Sequence, residues 1–476
     1  MTALSISKTY KLLASDVKDV DFIDDVNSDI VLTADARDNL VNLGFGNATV
    51  LGGDGNDSLN GGSGIDSLDG GSGDDVLVTG ILSNNILKGG LGNDSLTSFG
   101  LSDTLDGGDG NDYIHSSSVY SSIIGGLGND LIKFESSGSS IPYSASINSG
   151  AGDDVIVSEG YFVTIDGGDG NDSIDSFACF ASILGGKGND TIMTYLGNNK
   201  IDGGDDNDSI VTAYGRDTIQ GGKGNDTIFS GSGNDKVDAG DGDDSVAGGF
   251  GNDSIFGGKG NDTIDAGVGA DTVDGGDGND LITGSGANSK FLGGVGDDII
   301  TLSSDSVFDS FDTLDGGSGN DSLFLSGFTG THKLIGGAGN DFVSHYDRLG
   351  VATLDGGAGD DRLFTSSHLD VLTGGAGADT FNITQIDGAV RITDFQSSVD
   401  KLIVSYTGEV PILLDSSHFV TAASSNFTFA TAEPSYAYNT KTGAFYYDAD
   451  GSGSGSQFQI ALLANKPALV STDIFV

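Results

Sequence analysis

The chain has 476 residues, a formal net charge of −50, and 80 Gly against only four Pro. So much Gly with so little Pro excludes collagen and Pro-rich linkers, and says that the backbone often needs conformations closed to other residues. The charge excludes nucleic acid as a partner and strains any compact state unless cations neutralise it, divalent cations being the natural choice.

Of the 70 acidic residues, only Glu135, Glu159, Glu409 and Glu433 are Glu. That bias points to short carboxylates in tight turns, where Asp sits beside the backbone and Glu does not fit. Cys179 is the sole cysteine, so no internal disulfide can form. It is expected to be a small buried apolar residue, with an intermolecular disulfide as the alternative.

The first stretch, MTALSISKTYKLLASDVKDVDF, has no basic run followed by an apolar one, so it does not read as a secretory signal peptide. No apolar run is long enough to span a membrane. The runs DIVLTA and NLVNLGF, at the end of residues 1–42, read as strands, and this segment is expected to form an N-terminal cap.

From residue 43 to 381 one pattern dominates. A six-residue turn of the GGxGxD type begins at residues 52, 61, 70, 89, 107, 125, 149, 167, 185, 203, 221, 239, 257, 275, 293, 316, 336, 356 and 374, with every step from 149 to 293 equal to 18. Its sixth position is always Asp: Asp57, Asp66, Asp75, Asp94, Asp112, Asp130, Asp154, Asp172, Asp190, Asp208, Asp226, Asp244, Asp262, Asp280, Asp298, Asp321, Asp341, Asp361 and Asp379. The eighth position is always apolar, as at Leu59, Leu96, Ile114, Ile132, Ile174, Ile228, Ile264 and Phe381. Positions one to six read as a turn and seven to nine as a very short strand, with position eight alone pointing inward. Two such units make one flattened coil of 18 residues. No coil buries its own apolar residues, so only the stack is stable.

The nonapeptide GGxGxDxUx resembles the repeat of RTX (repeat-in-toxin, hemolysin-type) calcium-binding proteins. The resemblance implies an all-β parallel β-roll of 18-residue coils. It also implies Ca²⁺ between stacked turns, held by the position-six carboxylates and turn carbonyls, a hard-oxygen set suited to that ion.

Copies 18 residues apart stack on one side of such a roll, and the half-coils between them form the other. The first side is a nearly unbroken ladder. The second keeps the motif mainly between residues 212 and 271, where Asp217, Asp235, Asp253 and Asp271 join Asp66 as expected metal ligands. Elsewhere it degenerates to SFGLSDTLD, HSSSVYSSII or SFACFASIL, while the inward apolar residue persists at Leu105, Ile123, Ile165, Ile183, Ile201 and Ile219. This degenerate edge gains Ser and the aromatics Phe99, Tyr120, Tyr161, Phe162, Phe177, Phe180 and Tyr195. They either pack in place of ions or form a lateral surface for self-association or a ligand. The longer steps 125 to 149 and 293 to 316 read as loops bulging from the roll.

Residues 382–476 resemble the segment that follows RTX arrays, through RITDFQSSVDKLIVSYTG and the terminal TGAFYYDADGSGSGSQFQIALLANKPALVSTDIFV. The resemblance implies a β-rich cap and an uncleaved type I secretion signal. DADGSGSGS is not an EF-hand loop, because Gln459 stands where the bidentate Glu belongs.

Catalytic patterns are missing. His115, His332, His345, His368 and His418 are scattered, and there is neither an HExxH nor a Gly-x-Ser-x-Gly. NDS and NDT mimic glycosylation acceptors only because the repeat places Asn at position five; Asn382 and Asn426 are better candidates. The expectation is therefore a non-enzymatic, secreted, calcium-loaded structural protein of the oscillin-like or S-layer type. It would self-assemble into a surface layer, sheath or fibril. The alternative is a calcium-dependent adhesin that binds glycans, such as a cell-surface polysaccharide, or another cell through the degenerate edge. A secreted enzyme fragment or toxin accessory is a third option.

Overall fold

The computed structural model describes residues 8–11, 30–34, 36–82, 84–135, 143–303, 309–327, 329–346, 350–366, 369–384, 388–405, 412–424, 427, 434–450 and 457–476. The expected bulging loops, His368, Asn426 and much of DADGSGSGS lie wholly or partly outside these residues. Among the described residues the fold is all-β, with two short 3₁₀ turns at Ser416–His418 and Ser471–Asp473 as its only helical elements. The chain forms two compact units, Met1–Ala239 and Gly240–Val476. Each is a parallel β-solenoid.

One coil of the first unit serves for all. The turn at 167–172 delivers the strand Ser173–Ser176, a second turn follows, and the strand Phe180–Lys187 runs into the next Gly turn. Equivalent strands pair in parallel and in register. Ile174 lies opposite Ile192 in one sheet, and Ile165 opposite Ile183 in the other. The second unit repeats this, with Ile282 opposite Ile300 and Val273 opposite Phe291. Parallel sheets demand such long crossovers, and here each crossover is the other half of the coil.

Every position-eight residue named above is buried at 3% exposure or less, on both sides of the coil. Position eight is not alone, however. The strands that leave the Asp turns run one residue further than expected, so the tenth residue also points inward, following the period of two. In the first unit it is small and polar at Thr79, Ser98, Ser116, Ser158, Ser176, Thr194 and Thr212; in the second it is Ala266, Leu302, Leu325, His345, Thr365 and Ile383. Cys179 is half-buried at a turn rather than buried in the core.

In-register pairing runs past residues 43 and 381. Ile30–Thr33 pairs with the strand beginning at Ala48, and Val41 lies opposite Leu59. At the other end Lys401–Val404 pairs with Thr380–Ile383, and Val390–Ile392 with Val371–Ala376. The antiparallel meander Ser435–Asn439, Ala444–Asp448 and Gln457–Leu463 then covers that edge, its last strand joining Val390–Ile392.

Candidate metal sites

The sixth turn position carries a ladder. The backbone N–H of Asp172 donates to Oδ1 of Asp190 at 2.8 Å, and that of Asp154 to Oδ1 of Asp172 at 2.8 Å. In the first unit the same bond runs Asp57, Asp75, Asp94, Asp112, Asp130, Asp154 and on through Asp172, Asp190 and Asp208 to Asp226, at 2.7–2.8 Å. In the second it runs Asp244, Asp262, Asp280, Asp298, Asp321, Asp341, Asp361 and Asp379, at 2.8–3.1 Å. A carboxylate on a single methylene is the right length to reach the next coil's backbone, and this explains Asp over Glu.

The second carboxylate oxygen has another fate. In Asp75, Asp94, Asp112, Asp130, Asp154, Asp172, Asp190 and Asp208 of the first unit, Oδ2 is buried with no hydrogen-bond partner. The same holds in Asp262, Asp280, Asp298, Asp321, Asp341, Asp361 and Asp379 of the second. Each Oδ2 folds back over the residue at position one of its own turn, which is Gly in most copies. At Gly185 a methyl group would overlap both Oδ2 of Asp190 and the carbonyl of Gly203 in the next coil. Gly188, at position four with φ +108, has no room for a side chain beside the carbonyl of Gly170. The glycines thus line a cradle of carbonyl and carboxylate oxygens.

Leaving so many buried acceptors unpaired is costly, and buried polar groups normally find a partner. Among the described residues no three acidic, His or Cys side chains converge. Carboxylates therefore supply only part of any coordination shell, and turn carbonyls must supply the rest. This donor set is all hard oxygen and fits Ca²⁺.

The electrostatics agree. Burial, the largest cause, pushes the carboxyls of Asp94, Asp130, Asp172, Asp208, Asp262, Asp298 and Asp361 up to about 7. It pushes Asp66, Asp75, Asp190, Asp271, Asp321 and Asp379 up to about 6. The donated backbone N–H offsets part of this, and neighbouring Asp residues in most cases add to it. Such a row of like charges needs a cation to stay ionised.

The second row shows what replaces an ion. Asp66, Asp217 and Asp271 repeat the full arrangement, each with an unpartnered Oδ2; Asp235 and Asp253 are buried at the same position. Elsewhere the ladder bond is kept while the charge is dropped. Asn85 accepts from the N–H of Asp66 at 2.9 Å and Asn199 from Ala181 at 2.9 Å; their amide nitrogens turn to the carbonyls of Leu82 at 2.8 Å and Leu196 at 3.2 Å. A neutral N–H₂ thus satisfies a turn carbonyl.

Three further Asp residues, outside any GGxGxD turn, occupy the same rung. Oδ2 of Asp103 accepts from the hydroxyls of Ser98 and Ser118. Oδ2 of Asp370 accepts from Thr365 at 2.5 Å and lies 2.8 Å from Nδ1 of His345; Asp312 lies 3.1 Å from Nδ1 of His332. His332 and His345, on strands of different sheets, come within 5.9 Å ring to ring in the buried interior.

Asp400 also joins the first row, taking the N–H of Asp379 at 3.1 Å. Its signal was in the sequence, since Asp400 and the buried Leu402 keep the repeat's spacing of two without any Gly.

A family model for the RTX calcium-binding nonapeptide repeat (4 copies) matches residues 51–83, 79–114, 102–118, 148–176, 182–210, 211–246, 238–273, 247–282, 274–306, 309–331 and 349–381, more than half of the chain. The chain belongs to the RTX calcium-binding repeat family. The RTX matches fall on coils that carry the Asp ladder, and they skip residues 119–147 and 332–348, although each of these stretches holds a first-row turn with its ladder residue, Asp130 and Asp341. No curated protein gives a significant match. No helix among the described residues is long and apolar enough to cross a membrane.

Proposed function

We propose that this RTX protein is a secreted structural component of a cell surface, non-catalytic, folded by calcium on export and self-associating into a layer, sheath or fibril. The observation that carries the reading is the ladder of buried, unpartnered Oδ2 atoms. Calcium would be held by Oδ2 of successive position-six Asp residues together with turn carbonyls. The bound ion supplies positive charge to a cradle that has none. In the calcium-poor cytosol, repulsion along the ladder keeps the chain extended for type I export. At extracellular calcium, where such modules bind at about 10⁻⁴–10⁻³ M, the coils close.

Self-association is supported by aromatic side chains that project from the turns, such as Phe45 and Tyr214 in the first unit, exposed at 56% and 64%. Electron microscopy of the purified chain tests this. Fibres or sheets with calcium and none with chelator are expected; monomers in both conditions would end the self-assembly part of the proposal.

A further inference from the structure

At four consecutive second-row rungs of the first unit the acid is gone, replaced by Ser121, Ala145, Val163 and Ala181. Over these coils lies a groove of about 770 Å³ that crosses seven adjacent strands, from Thr104–Asp109 to Thr218–Lys223. At about 4.8 Å per strand it runs for roughly 25–30 Å along the stacking direction.

The groove is built in two rows. Its floor is a ladder of outward hydroxyls, Thr104, Ser122, Ser146, Thr164 and Ser182, each opposite the next in register. Its wall carries Tyr120, Phe162 and Phe180, exposed at 52%, 52% and 38%, with the two Phe rings stacked at 5.3 Å. In a chain of net charge −50, its charged lining is limited to Asp103, Lys200 and Arg216. Asp103 is buried and engaged by Ser hydroxyls, and the two bases lie together at one end.

We propose that this groove binds an extended, uncharged polysaccharide. Apart from Lys200 and Arg216 at one end, the groove offers a charged polymer nothing to pair with along its length. The hydroxyl ladder matches a ligand that offers hydroxyls at every residue, and the exposed aromatic side chains match the apolar C–H patches of sugar rings. The length calls for a linear polymer. An extended peptide would add to a free strand edge, whereas this groove crosses strands whose backbones are already paired. The inference is independent of self-assembly, since a surface protein can use such a groove to hold the polymer that coats the cell.

The test is affinity electrophoresis of the calcium-loaded full chain in gels containing hydroxyethylcellulose, laminarin, xylan, mannan or dextran, with polygalacturonate as the acidic control. At least one neutral polymer should retard the protein. The F162A/F180A variant should weaken that retardation about tenfold or more, as loss of an aromatic anchor does. Because losing two rings can disturb packing, Ser146→Arg, which places a bulky charge on the exposed floor, should do the same with an unchanged circular dichroism spectrum. Phe250→Ala, in the second unit, should bind as the parent does. Retardation by no neutral polymer, or only by polygalacturonate, overturns the proposal, as does retardation that survives both groove variants. Loss of a dimer in Ser146→Arg without any polymer binding would assign the groove to a second copy of the chain instead.

Discussion

Asp at position six does two tasks with two oxygens. Oδ1 of Asp172 receives the N–H of Asp154 and fixes the coil, while Oδ2 faces the cradle unpartnered. Asn199, which keeps the first task and not the second, shows that they separate. Asp172→Asn should therefore fold with calcium but bind fewer ions by isothermal titration. Asp172→Ala should be worse by about 1–3 kcal/mol in denaturant unfolding, because it also orphans a buried N–H. Equal losses for the two would contradict the division of labour. Asp206 offers a converse test. It occupies position four, where the other first-row copies have Gly, at φ 79. Asp206→Gly should raise stability by about 1 kcal/mol, read as a higher melting temperature in calcium. At this scale the sequence is legible where a residue repeats: position six could be named from the spacing alone. The pairings of Asp103, Asp312 and Asp370 could not, because their partners Ser118, His332 and His345 come from other coils.

The element here is the coil, and its strands are longer and two-sided in a way that GGxGxDxUx conceals. The inward tenth residue follows from the period of two once the strand extends to four residues, as in Ser173–Ser176. That residue varies from Ser to Leu to His, so no consensus reveals it. It decides how a rung without calcium is satisfied. His345, a tenth residue, meets Asp370 at 2.8 Å with both side chains fully buried. His345→Leu should leave the number of bound calcium ions unchanged while costing about 1–3 kcal/mol through the loss of a buried hydrogen bond to the Asp370 carboxylate. A drop in calcium stoichiometry would mean that the pair belongs to a metal site. The parallel architecture and the core rows at position eight were readable from the 18-residue step. The continuation of pairing was harder to read: Val390–Ile392 has lost the Gly turn while keeping the register, and Lys401–Val404 is marked only by the spacing of Asp400 and Leu402.

For the whole molecule the governing quantity is charge. With position-six carboxyls such as those of Asp66, Asp172 and Asp262 raised by burial from 3.8 to about 6 or 7, the folded chain without calcium prefers them protonated. Its stability is then full below about pH 4 and lost as pH rises through 6 and 7. Calcium binds the ionised form and reverses the trend. In chelator, β-structure should accordingly grow on acidification from about pH 8 to 4, and calcium affinity should fall over the same range; a pH-independent affinity would contradict the ladder as the binding site. The most direct measurement is a calcium titration of the chelated full chain near neutral pH, followed by far-ultraviolet circular dichroism. A largely disordered spectrum that converts steeply to β as calcium approaches the millimolar range is expected, since the unpartnered oxygens leave the coils without a neutralising charge. A full β spectrum in chelator, unchanged by added calcium, would contradict it.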